Sequence, residues 1–490
     1  MRTLGYPESQ FELATEVGEG ALERLFSESE HRQLDRRIAE IQLSFQQESD
    51  WSLKELEQCQ RAWVRSHLEK EHVEQTLELA IRARDDFSVL VTIGIGGSDL
   101  SARVYHDVLN HPYHNHLSRD QRGDAPEVYF TGDTFDASRL KGLLETLAAR
   151  KLVGETLFNV ISKSGRTGET IATLMIVRDW IQRNSNAECP ESWRRQVVAT
   201  TGLNSNSALY QMHHEHKFYG GTLLPVPEGV GGRFSAFSPV GLFFLAMTAG
   251  KGESPRSRVR NALDGVGEAD ALFQSPFTEL ENMSYCLARW LHLAEMWAGK
   301  NNLVFYNFAD NRYLGDWFVQ LYDESLQERG QGLNVIAALG PTSNHSVLNG
   351  ILNGPKDKVV LFIGWRELGD DLEIPARTGI GGDLESFEGL SMNQVQTASY
   401  CGTVEEFGES GIPTATLSVP KRDVHNLCKL MRVLMDCVAV KGRLQALHVN
   451  DTDTVDFTKE LTYCQDGVEG YKERTRKIAA AMKLDADCTS

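Results

Sequence analysis

The stretch VLVTIGIGGSDLSARVYHDVL, residues 89–109, constrains the chain more than any other. An apolar run of strand length meets three glycines, Gly94, Gly96 and Gly97, and amphipathic helical periodicity then begins. A turn of this kind gathers backbone N–H groups at a helix start, where they can meet an anion. The pattern recurs. From about residue 86, FSVLVTIG, PEVYFTGD, TLFNVISKS and QVVATTG each run into a polar, glycine-bearing turn and a helical pattern. A helix-rich stretch near 255–300 separates these from a second series, LVFYNFAD, LNVIAALG, KVVLFIGW and TATLSVP, which ends in a long helix near 421–447. Apolar strands alternating with helices are the signature of βαβ units. The expected fold is therefore α/β, with two doubly wound parallel-sheet lobes. The expected division is an N-terminal helical segment over 1–85, a first lobe over 86–270, a second lobe over 271–455 and a C-terminal helical tail over 456–490. Within the first segment, LKELEQCQRAWVRSHLEKEHVEQTLELA over 53–80 reads as helix.

Composition excludes several classes. A net charge of −18 argues against a nucleic-acid or membrane surface, and it means that an anionic ligand must be met by local donors rather than by the overall field. The opening MRTLGYPESQFELATEVGEG is polar and acidic, unlike a targeting leader. The longest apolar runs, such as GLFFLAMTAG over 241–250, are too short to span a bilayer. Eight cysteines without a CxxC pair suggest neither a disulfide frame nor a zinc site. A cytoplasmic protein with reduced thiols is the expectation.

The glycine turn invites a dinucleotide reading, but Asp99 stands where the third glycine of that fingerprint belongs, and Asp133 lies too far on for the ribose-binding acid. A second turn points elsewhere. LFNVISKSGRTGET, residues 157–170, carries Ser162, Ser164 and Thr167 as hydroxyl donors, with Lys163 and Arg166 among them. Hydroxyls, backbone N–H groups and a helix start together suit a phosphate. A Ser/Thr cluster alone is commonly a helix cap, and no GxxxxGK[ST] pattern occurs. Two such turns at successive strand ends favour a phosphorylated small molecule in the crevice between them. The histidine clusters HPYHNH (111–116) and HHEH (213–216) sit in polar stretches without a register that fixes tetrahedral ligands, and they read as solvated loops.

IGIGGSDL (93–100), VISKSGRTGET (160–170), GVGGRFSAFSPVGL (229–242), WFVQLYDESL (317–326), GPTSNHSVLNGIL (340–352) and CQDGVEGYK (464–472) occur in this order. Together they resemble the phosphoglucose isomerase family, two-lobed sugar isomerase (SIS) enzymes, over about residues 86–475. The resemblance implies reversible isomerisation of glucose 6-phosphate and fructose 6-phosphate by ring opening and proton transfer through an enediolate. It places the family's base on Glu324 and its glutamine on Gln320, a spacing that puts both on one helix face. Arg233 takes the place of the cation that meets enediolate charge. His345 and Lys472 match the ring-opening pair, and Gln465 the substrate-contacting glutamine. Gly97, Ser98, Ser162, Lys163, Ser164 and Thr167 correspond to the sugar-phosphate cradle. No cofactor and no metal are implied, and the partner is a second copy of the chain, whose histidine completes a shared active site.

Three positions depart from the family pattern. Arg166 replaces a threonine, Cys464 replaces an aspartate or asparagine, and Glu328 stands where a lysine is common, with Arg329 adjacent. They put substrate affinity and sugar preference in question. Other readings are an isomerase of a different hexose phosphate, a non-catalytic sugar-phosphate sensor, and an amino-sugar phosphate enzyme. A sensor need not keep Glu324, Arg233, His345 and Lys472 together, and the amino-sugar reading lacks an N-terminal cysteine nucleophile.

Overall fold

The computed structural model describes residues 11–15, 22–184, 192–279, 281–379, 381–450, 460–464 and 466–489. The ten strands among them are β1 (Glu12–Thr15), β2 (Val89–Ile93), β3 (Glu127–Thr131), β4 (Thr156–Ser162), β5 (Val197–Thr201), β6 (Leu224–Pro225), β7 (Asn302–Asn307), β8 (Asn334–Leu339), β9 (Lys358–Glu367) and β10 (Thr414–Lys421). They form two five-stranded sheets, in the orders β3-β2-β4-β5-β6 and β1-β10-β9-β7-β8. Every pairing is parallel except that of β1 with β10. Each lobe thus repeats one winding: its first strand lies between its second and its third, and the chain reverses direction across the sheet there. In such sheets ligands sit beyond the carboxyl ends of the strands at this switch point. In the first lobe that point lies between β2 and β4, in register from Val89 opposite Thr156 to Ile93 opposite Val160.

Alternation along each strand assigns its two faces. Leu90 turns into a core that also holds Leu303, Leu361 and Leu417 of the other lobe, whereas Val89, Val91 and Ile93 pack outward on Leu140, Leu144, Leu174 and Val177 of two covering helices. In the second lobe, Val304, Tyr306 and Phe362 face outward onto Val404 and Phe407. Burial on both faces is why these strands are continuous apolar runs. The lobes share their inner core, and the helices Pro255–Gln274 and Val424–Asn450 pack along each other within it. The expected division at 270/271 falls inside the first of these helices.

The N-terminal segment departs from the expectation of helix in two places. Glu12–Thr15 is a strand that adds antiparallel to the edge of the second sheet, Glu12 opposite Ser418, with Glu12 also paired to Arg366 at 2.7 Å. Four residues are too few for alternation to show in the sequence. The stretch 53–80 is not continuous helix either: Leu53–Gln58 ends where Gln60 takes a φ of 57° and the Arg61 N–H donates to the Leu56 carbonyl at 2.7 Å. This is a left-handed helix stop, with glutamine in the position glycine usually holds. Helix resumes over Lys70–Asp86.

The segment 213–216 is also not a loop. It forms the last turn of the helix Ala208–His216, with His213 buried and His214 exposed. In the other cluster His114 is buried, with Nε2 2.9 Å from the Pro126 carbonyl. Among the described residues no three His, Cys, Asp or Glu side chains converge as a metal site, and no helix is long and apolar enough to cross a membrane.

Candidate active site

Three segments meet beyond the carboxyl end of β2. The turn Gly96–Ser98 follows that strand, the turn Gly232–Phe234 packs on it, and the helix Tyr313–Leu326, which follows β7, brings in a face of the second lobe. Two glycines make the approach possible. Gly96 has a φ of +59°, and a Cβ there would lie 2.7 Å from the Gln320 Nε2. A Cβ on Gly97 would run into the backbone of Gly232 and Arg233. Ser235 ties the two turns, its hydroxyl donating to the carbonyls of Gly97 at 3.1 Å and Gly232 at 2.7 Å.

Arg233 is at the centre. Its side chain is 1% exposed, and its Nη1 lies 3.3 Å from Oε1 of Glu324, which is 20% exposed. Its Nε donates to the Ser325 hydroxyl at 2.6 Å, and its Nη2 to the carbonyls of Thr462 at 2.6 Å and Cys464 at 3.3 Å. Burial pushes the guanidinium below its ordinary pKa, while the Glu324 carboxylate and, more weakly, Glu328 pull it back up. The helical spacing places Gln320 one turn before Glu324, where Nε2 donates to Oε2 at 3.0 Å. The other amide atom, Gln320 Oε1, is buried without a protein donor. The result is a carboxylate held between a buried cation and an amide, beside a buried acceptor with no protein donor.

The second turn lies at the end of the neighbouring β4. The hydroxyls of Ser162 and Thr167 are 2.8 Å apart, and Thr167 stands just ahead of the helix Gly168–Asn184. Thr201 supports the loop from β5, donating to the Ser162 carbonyl at 2.6 Å. Lys163 is half-buried, and burial lowers its pKa against the pull of Glu228. Ser164 is exposed and accepts the Arg166 N–H at 3.2 Å. The Arg166 guanidinium turns aside and donates to the Asn206 carbonyl at 2.8 Å.

Of the residues singled out in the sequence, Gly97, Ser98, Arg233, Gln320 and Glu324 are therefore brought together, with Ser162, Lys163, Ser164 and Thr167 on the adjacent strand end. His345 is not among them. It is exposed in the turn Thr342–His345 after β8, and no hydrogen bond or ion pair joins it to Arg233 or Glu324. Lys472 is half-buried on the helix Asp466–Thr489, and Gln465 lies outside the described residues. Sequence reasoning missed Ser325 and the carbonyls of Thr462 and Cys464. Ser325 is adjacent to Glu324 and could have been suspected; a carbonyl contact leaves no mark on residue type.

The family model described as phosphoglucose isomerase matches residues 72–301. A glucose-6-phosphate isomerase of Rubrobacter xylanophilus is 31% identical over 408 residues, covering 82% of this chain and 88% of that protein. The crystal structure of a hypothetical protein from Thermus thermophilus is similar with a TM-score of 0.77 at 27% identity, covering 96% of this chain and 100% of that one. A glucose-6-phosphate isomerase from Chlamydia trachomatis shares the fold, with a TM-score of 0.71 at 20% identity over 98% of this chain and 90% of that one. With 31% identity to the Rubrobacter enzyme over most of both chains, this chain belongs to the phosphoglucose isomerase family.

Proposed function

We propose that the chain interconverts glucose 6-phosphate and fructose 6-phosphate, moving a proton between C1 and C2 of the open-chain sugar through an enediolate. The observation that carries this reading is the Glu324 carboxylate 3.3 Å from the buried Arg233 and 3.0 Å from the Gln320 amide, beyond the switch point of the first sheet. Glu324 takes the proton from one carbon and returns it to the other. Negative charge grows on the sugar oxygens as the proton leaves. A guanidinium already fixed in a dry site stabilises that charge more than the neutral open-chain carbonyl, which is what lowers the barrier.

The phosphate lies against Ser162, Lys163, Ser164 and Thr167, at the start of the helix Gly168–Asn184, with Gly97 and Ser98 closing the neighbouring turn. A chain with a net charge of −18 needs such local donors for an anionic substrate. By resemblance to the family, Lys472 completes the ring-opening pair and Gln465 contacts the sugar. His345, exposed and without a hydrogen bond or ion pair to Glu324 in its own chain, opens the sugar ring in the site of a second copy, so the working form is a homodimer. Free thiols at Cys59, Cys286, Cys401, Cys428, Cys437 and Cys464 support a cytoplasmic setting.

The test is a coupled assay on the purified chain, comparing fructose 6-phosphate with mannose 6-phosphate and glucosamine 6-phosphate. Turnover of fructose 6-phosphate to glucose 6-phosphate is expected without added cofactor and undiminished by EDTA. Binding without turnover would identify a sensor, and activity that vanished on chelation and returned with a divalent metal would overturn the mechanism.

A further inference from the structure

Arg233 is gripped from two sides, and the second grip comes from the C-terminal part of the chain. The carbonyls of Thr462 and Cys464 that take its Nη2 belong to the short segment 460–464. That segment is held by a buried ion network assembled from three distant parts of the chain. Arg443, on the helix Val424–Asn450, pairs with Glu460 at 3.2 Å and with Glu48, while Arg61 pairs with Glu48 at 2.9 Å and donates through Nη1 to the Tyr463 hydroxyl at 2.8 Å. All four charged side chains are no more than 4% exposed. The Tyr463 ring lies 5.4 Å from Phe234, the residue after Arg233, and Phe234 stacks on Trp63 at 4.8 Å. Thr462 seats against Gly442, where any Cβ would collide with its hydroxyl.

We propose that Tyr463 is a positioning residue: through its hydroxyl bond to Arg61 and its contact with Phe234, it fixes the Thr462 carbonyl and so the angle at which Arg233 faces Glu324. The inference rests on the reading of Arg233 as the enediolate cation. Burying four charges is costly unless each is paired, and replacing such a cluster with apolar groups commonly leaves stability unchanged or improved. Stability is thus a weak reason for the network, whereas the position of a catalytic cation is a specific one, because a displacement of about 1 Å at a reacting centre can cost about 10²-fold in rate.

The test is a double-mutant cycle between Tyr463→Phe, which keeps the ring and loses the hydroxyl, and Arg233→Lys. Tyr463→Phe is expected to lower kcat about tenfold with KM within about twofold, a split that follows when an interaction peculiar to the transition state is lost. In the Arg233→Lys background the same change should have no further effect on kcat, since the guanidinium it orients is gone. Equal losses in both backgrounds, or a lowered melting temperature with kcat unchanged, would overturn the proposal. Should Arg233→Lys by itself leave kcat intact, the reading of Arg233 fails instead. If Tyr463→Phe does not fold, Arg61→Lys, which keeps charge beside Glu48 and gives up the donor to Tyr463, is read in the same cycle with the same outcomes.

Discussion

In the proposed function the hydroxyls of the β4 turn do a different task from Glu324, and kinetics can separate the two. Ser162 and Thr167 share a hydrogen bond, their hydroxyls 2.8 Å apart, and in the proposed function both turn to the phosphate when it binds. Thr167→Val and Ser162→Ala should each raise KM for the phosphosugar by the loss of a hydrogen bond to a charged oxygen, about 1.5–3 kcal/mol. Unphosphorylated fructose, tested as a poor substrate, should be nearly indifferent to both changes. Equal losses for the two sugars would make the turn structural. At this scale the sequence was informative through its resemblance to a family: the ordered motifs, not any single spacing, led to Glu324, Arg233 and Gln320, which the fold does bring together. It was silent on Thr462 and Cys464, which act through backbone oxygen.

At the scale of elements, the helix Tyr313–Leu326 and the turn Gly96–Ser98 must keep their mutual placement. An added methyl at Gly97 meets the backbone of Gly232, which has no side chain to move aside. Gly97→Ala should therefore cost stability by about 1–3 kcal/mol and lower kcat/KM, measured by urea unfolding and steady-state kinetics. A second test concerns Asp323, beside Glu324, which accepts the Val335 N–H of β8 at 3.2 Å. Burial raises its pKa from 3.8 to about 6. Between those values the folded chain binds more protons than the unfolded one, so this group makes stability fall as pH rises from about 4 to about 6. Asp323→Asn keeps an acceptor for Val335 without the buried charge. Its melting temperature should rise relative to wild type as pH passes from 5 to 8; an unchanged difference would mean that Asp323 ionises without cost. Strands buried on both faces, such as Val89–Ile93 and Thr156–Ser162, were legible as apolar runs. The edge strand Glu12–Thr15 was not, because it is short and its pairing with β10 joins residues some 400 positions apart. Nor was the break at Gln60, where a residue other than glycine holds a positive φ.

At the scale of the whole molecule, the two lobes close over one core, and the proton-transfer groups lie where they meet. His345 lies in an exposed turn beyond β8, with no hydrogen bond or ion pair to Glu324. In the proposed mechanism His345 acts in the site of a second copy, so that neither Glu324 nor His345 would work without a partner chain. Co-refolding Glu324→Gln with His345→Ala at equal ratio tests this most directly. Each variant alone should be nearly inactive. In a heterodimer, one site carries both lesions and the other carries neither. With random pairing about half of the dimers are mixed, so the account predicts recovery of roughly a quarter of the wild-type activity. No recovery in a mixture where heterodimers are shown to form would put His345 to work within its own chain, and would contradict the account.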